Sequence, residues 1–221
     1  MKAVFFDLDD TLYPERKFVT NGFWVCARFL AKRYGLDKGD VFSKFYLRFM
    51  SKGRKQIFDV ALKELGIYSD DLVKLLVYLY RCRKPEIELY DDARPTISHL
   101  KDMGFLTGLI TDGMASVQKN KVAALNIEGL FDIIVYTDEI CPECWKPSSV
   151  PFKIALELLN VEASHAYYVG DNTQKDFDGP LKLGMGAIYI NREKKVTPEI
   201  AGVHVIQTLS DVLSIVSNEH V

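Results

Sequence analysis

Met1-Lys2-Ala3-Val4-Phe5-Phe6-Asp7-Leu8-Asp9-Asp10-Thr11-Leu12 opens the chain. The apolar run from Ala3 to Phe6 reads as a buried strand. Three carboxylates follow it: Asp7, Asp9 and Asp10. Turns favour Asp, and Asp10 alone needs no other account. Asp7 and Asp9 differ, because they stand two apart directly behind a buried run. There like charges repel, and each loses hydration. Such a cluster persists where a cation neutralises it. Magnesium fits: it is a hard ion that takes oxygen ligands, usually one or two carboxylates together with a phosphate. The stretch therefore predicts a metal-assisted phosphate site at the carboxyl end of a strand.

Beyond it the apolar spacing turns helical. Helices are expected over 18–34, 40–50, 54–65 and 70–83, the third ended by Gly66 and the fourth stopped before Pro85. Short connections between them predict an antiparallel four-helix bundle, with Phe42, Phe45, Tyr46 and Phe49 in its core. Strands then alternate with helices. Strands are expected over 105–110, 133–136, 166–169, 187–190 and 204–206, with helices over 95–103, 114–125, 151–159, 175–183 and 210–216. This alternation implies a parallel sheet covered on both faces, with ligands bound beyond the carboxyl ends of its strands. The polar motifs all fall at those ends: Asp7 and Asp9, Thr111-Asp112-Gly113, Lys146-Pro147 and Gly170-Asp171-Asn172.

These residues suit the hydrolysis of a phosphate monoester, a dianion whose central problem is charge. One carboxylate can attack phosphorus, giving an aspartyl-phosphate that water hydrolyses. A magnesium ion screens that carboxylate from the phosphate. A second acid protonates the leaving oxygen and later activates water. A lysine and backbone N–H groups hold the phosphoryl oxygens. Asp7 is the candidate nucleophile and Asp9 the acid/base. Asp171 and Asp176 are further carboxylates for the metal, and Thr111, the Asp112 and Gly113 amides and Lys146 are the phosphate holders.

Taken together, the four motifs resemble those of the haloacid dehalogenase-like superfamily. Asp7-Leu-Asp9-Asp10-Thr11 is similar to its Asp-x-Asp-x-Thr motif. Leu109-Ile-Thr111-Asp112-Gly113 resembles the second, Lys146-Pro147 the third, and Gly170-Asp171-x-x-x-x-Asp176 the fourth. The resemblance implies an α/β Rossmann-like core over 1–13 and 91–221, and a helical cap over 14–90. It implies Asp7 as nucleophile and magnesium ligand. Asp9 would be acid/base and offer its backbone carbonyl to the metal. Asp171 and Asp176 would complete the metal site, and Thr111 and Lys146 would bind the phosphoryl group. Asp9 argues against a dehalogenase, which needs no acid two residues on, and against a phosphonate hydrolase. A sugar phosphomutase keeps both acids and stays open, as does a non-catalytic phosphate-binding module.

Composition sets wider bounds. The 221 residues are 48% hydrophobic, enough for a core domain with an insertion, and the formal net charge is −2. The insertion, 14–90, is basic and the remainder acidic, which suits a basic lid over an anionic substrate as well as ordinary Lys-rich helices. Within it Arg54 and Lys55 are candidates for substrate recognition. The expected partner is a small phosphorylated metabolite: a sugar phosphate, a glyceraldehyde-type phosphate or a nucleoside monophosphate. No nucleic-acid motif accompanies the positive charge, and no run is long enough to span a bilayer. Only four apolar residues precede Asp7, so no secretory signal and a cytoplasmic location are expected. Cys26, Cys82, Cys141 and Cys144 are then expected as reduced thiols, and zinc is not expected, since no second Cys or His pair stands at ligand spacing.

Overall fold

The computed structural model describes residues 1–194, 196 and 200–218. The chain begins with β1 (Ala3–Phe6) and passes into α1 (Glu15–Tyr34), α2 (Lys38–Lys52), α3 (Ile57–Glu64) and α4 (Asp70–Cys82). It continues through α5 (Ala93–Asp102), β2 (Leu106–Thr111), α6 (Ala115–Leu125), β3 (Ile133–Tyr136), α7 (Val150–Leu159) and β4 (Ala166–Gly170). It closes with α8 (Asp178–Leu183), β5 (Gly186–Ile190), β6 (Val203–Ile206) and α9 (Asp211–Asn218). Two units result, Met1–Pro14 with Glu88–Val221, and Glu15–Ile87. The returning chain joins the first unit slightly earlier than residue 91, because the Tyr90 N–H donates to the Leu12 carbonyl at 2.9 Å.

The first unit is an α/β Rossmann-like fold built on one parallel sheet in the order β3-β2-β1-β4-β5-β6. Side chains alternate between the faces of a strand. Phe5 therefore joins Ile110, Tyr168, Phe152 and Ala155 in the core under α7, while Val4 and Phe6 point the other way. All four residues of β1 are fully buried, so the central strand is covered on both faces. From β1 the chain moves out through β2 to β3, then returns to place β4 on the other side of β1. The carboxyl ends of β1 and β4 flank this change of direction, where such sheets open a crevice for ligands.

The second unit holds the four inserted helices. α1 packs on α2 and α4, and α3 packs on the same two. Asp37 caps α2 by accepting from the Gly39 and Asp40 N–H groups, and Ser69 caps α4 through the Leu72 N–H. Phe23 sits at the centre, its ring 5.8 Å from Phe45, 5.9 Å from Phe49 and 6.0 Å from Tyr80.

Three helix starts differ from expectation by three residues. α1 begins at Glu15 rather than 18, because Pro14 directs the chain into a helix whose first residues are polar and carry no apolar stripe. α3 begins at Ile57 rather than 54, because Gly53 and Gln56 hold positive φ of 63° and 52° and interrupt the helix. α8 begins at Asp178 rather than 175, because residues 172–176 form a tight turn in which the Lys175 and Asp176 N–H groups donate to the Asn172 carbonyl. Among the described residues no helix is long and apolar enough to cross a membrane.

Phe23→Ala should cost about 3–5 kcal/mol, as for other buried aromatic truncations. Urea unfolding of the variant checks this; a loss below about 1 kcal/mol would show that Phe23 does not hold the four helices together.

Candidate active site

Asp7 follows β1 and is still tied to the sheet, its N–H donating to the Val169 carbonyl of β4 at 2.9 Å. Asp171 follows the end of β4, so the two carboxylates leave adjacent strands side by side. Asp176 reaches the same place by a different route. The turn after β4 points it back, and its Oδ2 accepts from the Asn172 N–H at 2.8 Å. Gly170 makes room: a Cβ there would lie 2.5 Å from Asp176 Oδ2.

Lys146 enters from the loop before α7, and its ammonium is buried among these acids. Nζ donates to Asp7 Oδ1 at 2.5 Å, to Asp176 Oδ1 at 2.8 Å and to the Tyr168 hydroxyl at 2.8 Å. Asp112, after β2, steadies the loop by accepting from the Lys146 backbone N–H at 3.2 Å and from the Thr137 hydroxyl at 2.9 Å. Gly113 beside it holds φ of 115°, a conformation that favours glycine.

Charge does not balance here. Asp7, Asp171 and Asp176 each offer a carboxylate oxygen, all within 4.8 Å of one another, and Lys146 supplies one positive charge among them. Burial pushes the Asp7 carboxyl up to about 7, with Lys146 opposing and Asp176 and Asp9 adding to the rise. Burial also pushes Asp171 up to about 8, assisted by the charges of Asp7, Asp176 and Asp10. Burial alone would lower the Lys146 pKa, but Asp176 and Asp7 outweigh it and hold the ammonium well above the ordinary lysine range. A hard divalent cation fits this donor set, which is all oxygen, negatively charged and short of positive charge.

Asp9 is oriented differently. Its carboxylate faces α6, where Lys121 Nζ donates to Oδ1 at 2.7 Å and to Oδ2 at 2.8 Å. Gln118 Nε2 donates to Asp9 Oδ2 at 3.1 Å and to Thr111 Oγ1 at 2.5 Å, and the Tyr13 hydroxyl donates to Asp9 Oδ1. Burial alone would raise its pKa, but Lys121, Tyr13 and Gln118 outweigh that and lower it.

Asp7, Lys146, Asp171 and Asp176 thus come together, with Asp112 and Gly113 beside them. Thr111 joins them through Gln118 and Asp9. The Asp9 carboxylate is not part of the acidic triad. Arg54 pairs with Glu15 inside the second unit, and Lys55 is exposed in the turn before α3. Sequence reasoning missed Lys121, Gln118 and Tyr168. For the first two a signal existed: α6 shows no clean apolar stripe, because Gln118 and Lys121, three residues apart, share its buried face. The expectation of reduced thiols fails at Cys141 and Cys144, which form a disulfide. A short turn brings their Cα atoms to 5.1 Å, inside disulfide reach.

The sequence profile of the haloacid dehalogenase-like hydrolases matches residues 4–190, a span containing all four motifs. The chain belongs to that family. The glyceraldehyde 3-phosphate phosphatase of Methanopyrus kandleri is 34% identical over 206 residues, covering 88% of this chain and 85% of that one. The enzyme of the same description from Methanocaldococcus jannaschii is 28% identical over 99% of this chain and 98% of its own. Among solved structures, a haloacid dehalogenase-like phosphatase from Thermococcus onnurineus superposes with a TM-score of 0.69 at 25% identity, each chain covered completely. This family member is therefore an enzyme, and the phosphatase type expected from its motifs is the one its relatives support.

In chelator the stability of the protein should fall as pH rises from about 4 to about 8. In the fold Asp7 keeps its proton up to about pH 7 and Asp171 up to about pH 8, whereas the unfolded chain loses both near 3.8, so across the window the folded state binds more protons. Asp171→Asn should flatten this decline. Thermal unfolding across the pH range checks it, and an equal decline in the variant would remove Asp171 as a source of the strain.

Proposed function

We propose that this hydrolase is a magnesium-dependent phosphatase acting on a small phosphate monoester through an aspartyl-phosphate. The observation that carries the reading is the meeting of Asp7, Asp171, Asp176 and Lys146 at the change of direction in the sheet. Asp7, Asp171 and Asp176, with the Asp9 carbonyl, would hold the ion; when bound, it would screen the substrate phosphate from the carboxylate that attacks it.

An Asp7 oxygen attacks phosphorus and forms a P–O bond, while the bond from phosphorus to the ester oxygen breaks. Asp9 delivers a proton to that leaving oxygen, releasing an alcohol. Water then attacks phosphorus, gives its proton to Asp9 and displaces the Asp7 carboxylate, so inorganic phosphate leaves. Lys146 holds a phosphoryl oxygen, a role for which its position against Asp7 prepares it. Thr111 and the Asp112 and Gly113 amides hold the others. The relatives that act on glyceraldehyde 3-phosphate favour a three-carbon aldehyde phosphate as substrate. Arg54 and Lys55, in the basic inserted unit that serves as cap, are assigned to recognition of the substrate beyond its phosphate.

Asp7→Asn should abolish release of phosphate from p-nitrophenyl phosphate while leaving the fold intact, since it removes the attacking charge and little volume. A colorimetric assay beside a circular dichroism spectrum tests this; retention of most of the rate would exclude Asp7 as nucleophile. Replacing Arg54 and Lys55 together by Ala should raise KM for glyceraldehyde 3-phosphate more than for p-nitrophenyl phosphate. Equal effects in steady-state kinetics would reject recognition by these two residues.

A further inference from the structure

We propose that Tyr168 is a positioning residue for Lys146: its hydroxyl holds the ammonium from behind while the lysine exchanges its bond to Asp7 for one to a phosphoryl oxygen. The proposal rests on the phosphatase reading above. A lysine ammonium has three N–H donors and no acceptor. All three are spent here, on Asp7 at 2.5 Å, on Asp176 at 2.8 Å and on the Tyr168 hydroxyl at 2.8 Å. A phosphoryl oxygen therefore gains a bond from Lys146 only where one of these is given up.

Burial decides which bond yields. Tyr168 and Asp176 are fully buried, and Asp176 is tied further by the Asn172 N–H. Asp7 is 7% exposed and is the group that phosphorus must approach. The bond to Asp7 is thus the one that a phosphoryl oxygen can replace, and Asp176 and Tyr168 remain as anchors. Without the hydroxyl one anchor is left, and the ammonium can swing on its flexible four-carbon stem. The residue type supports this role. Tyr168 lies in β4, and its ring packs edge-on against Phe152, with centroids 4.8 Å apart, in the core that also holds Phe5 and Ile110. Phenylalanine would meet that packing demand by itself. A buried tyrosine adds a hydroxyl that needs a partner, and the partner here is Lys146. The hydroxyl proton is directed to Asp176 Oδ1 at 3.4 Å, which leaves the oxygen free to accept from the lysine.

The experiment compares the magnesium-loaded wild-type chain with Tyr168→Phe, which keeps the ring and removes only the hydroxyl. The variant should lose about tenfold in kcat/KM, the lower end of what a hydrogen bond to a charged group is worth. The loss should be equal on glycerol phosphate and p-nitrophenyl phosphate, because Lys146 holds the phosphoryl group that the two share. Competitive inhibition by inorganic phosphate should weaken by a similar factor. Magnesium affinity, read by calorimetric titration, should stay unchanged, because Asp7, Asp171 and Asp176 keep their places. Wild-type kinetics in a folded variant would overturn the proposal, leaving the hydroxyl a packing role only. A parallel loss of magnesium affinity would overturn it too, by showing a general distortion of the site, and so would a loss confined to one substrate. Absence of phosphate release by the wild-type chain would instead reject the phosphatase reading, and this proposal with it.

Discussion

A shortage of positive charge governs this molecule. Three carboxylates are held against one another at the carboxyl ends of two neighbouring strands, and Lys146 offsets only one of them. Burial intensifies the imbalance, since charges removed from water interact more strongly. The protein cannot relieve it by moving the groups apart, because each is fixed by something stronger than a side-chain preference. Asp7 is tied to the ladder of the sheet, Asp171 follows the last residue of β4, and Asp176 is bonded to a backbone amide inside a tight turn. The remaining route to neutrality is a cation or retained protons.

The fold creates this arrangement through strand order. Residues 7, 112, 146 and 171 are distant along the chain. They converge because every strand is parallel, so that every strand ends at the same rim. β4 lies against β1 rather than beyond β3, and this puts the fourth motif beside the first. Glycine 170 then admits Asp176 where any side chain would collide with it. The inserted helices have a separate aromatic core around Phe23.

Much of this was legible before any coordinates. β3 was expected over the residues it occupies, because Ile133–Tyr136 is a short apolar run between polar neighbours. Asp7, Asp112 and Asp171 were legible because each directly follows a strand, where strand order carries it to the rim. The start of α1 was hidden by polar residues in its first turn, and the start of α8 by side-chain bonds that hold 172–176 in a turn. Lys121 and Gln118 were not read as site residues because their function depends on which face of α6 meets the loop after β1. No local pattern states that. Tyr168 was read as one more strand residue, and only the fold turns its hydroxyl toward Lys146. The disulfide was not legible because the absence of a secretory signal implies reduced thiols, whereas the turn that brings Cys141 and Cys144 together shows only in the fold.

Calorimetric titration of the chelated protein with magnesium near pH 7, repeated in buffers of different ionisation enthalpy, addresses the charge argument most directly. It counts both the ions bound and the protons released. The account predicts one ion per chain, with protons expelled from the carboxyls that burial had kept protonated. Binding without proton release, or no binding at all, would contradict it.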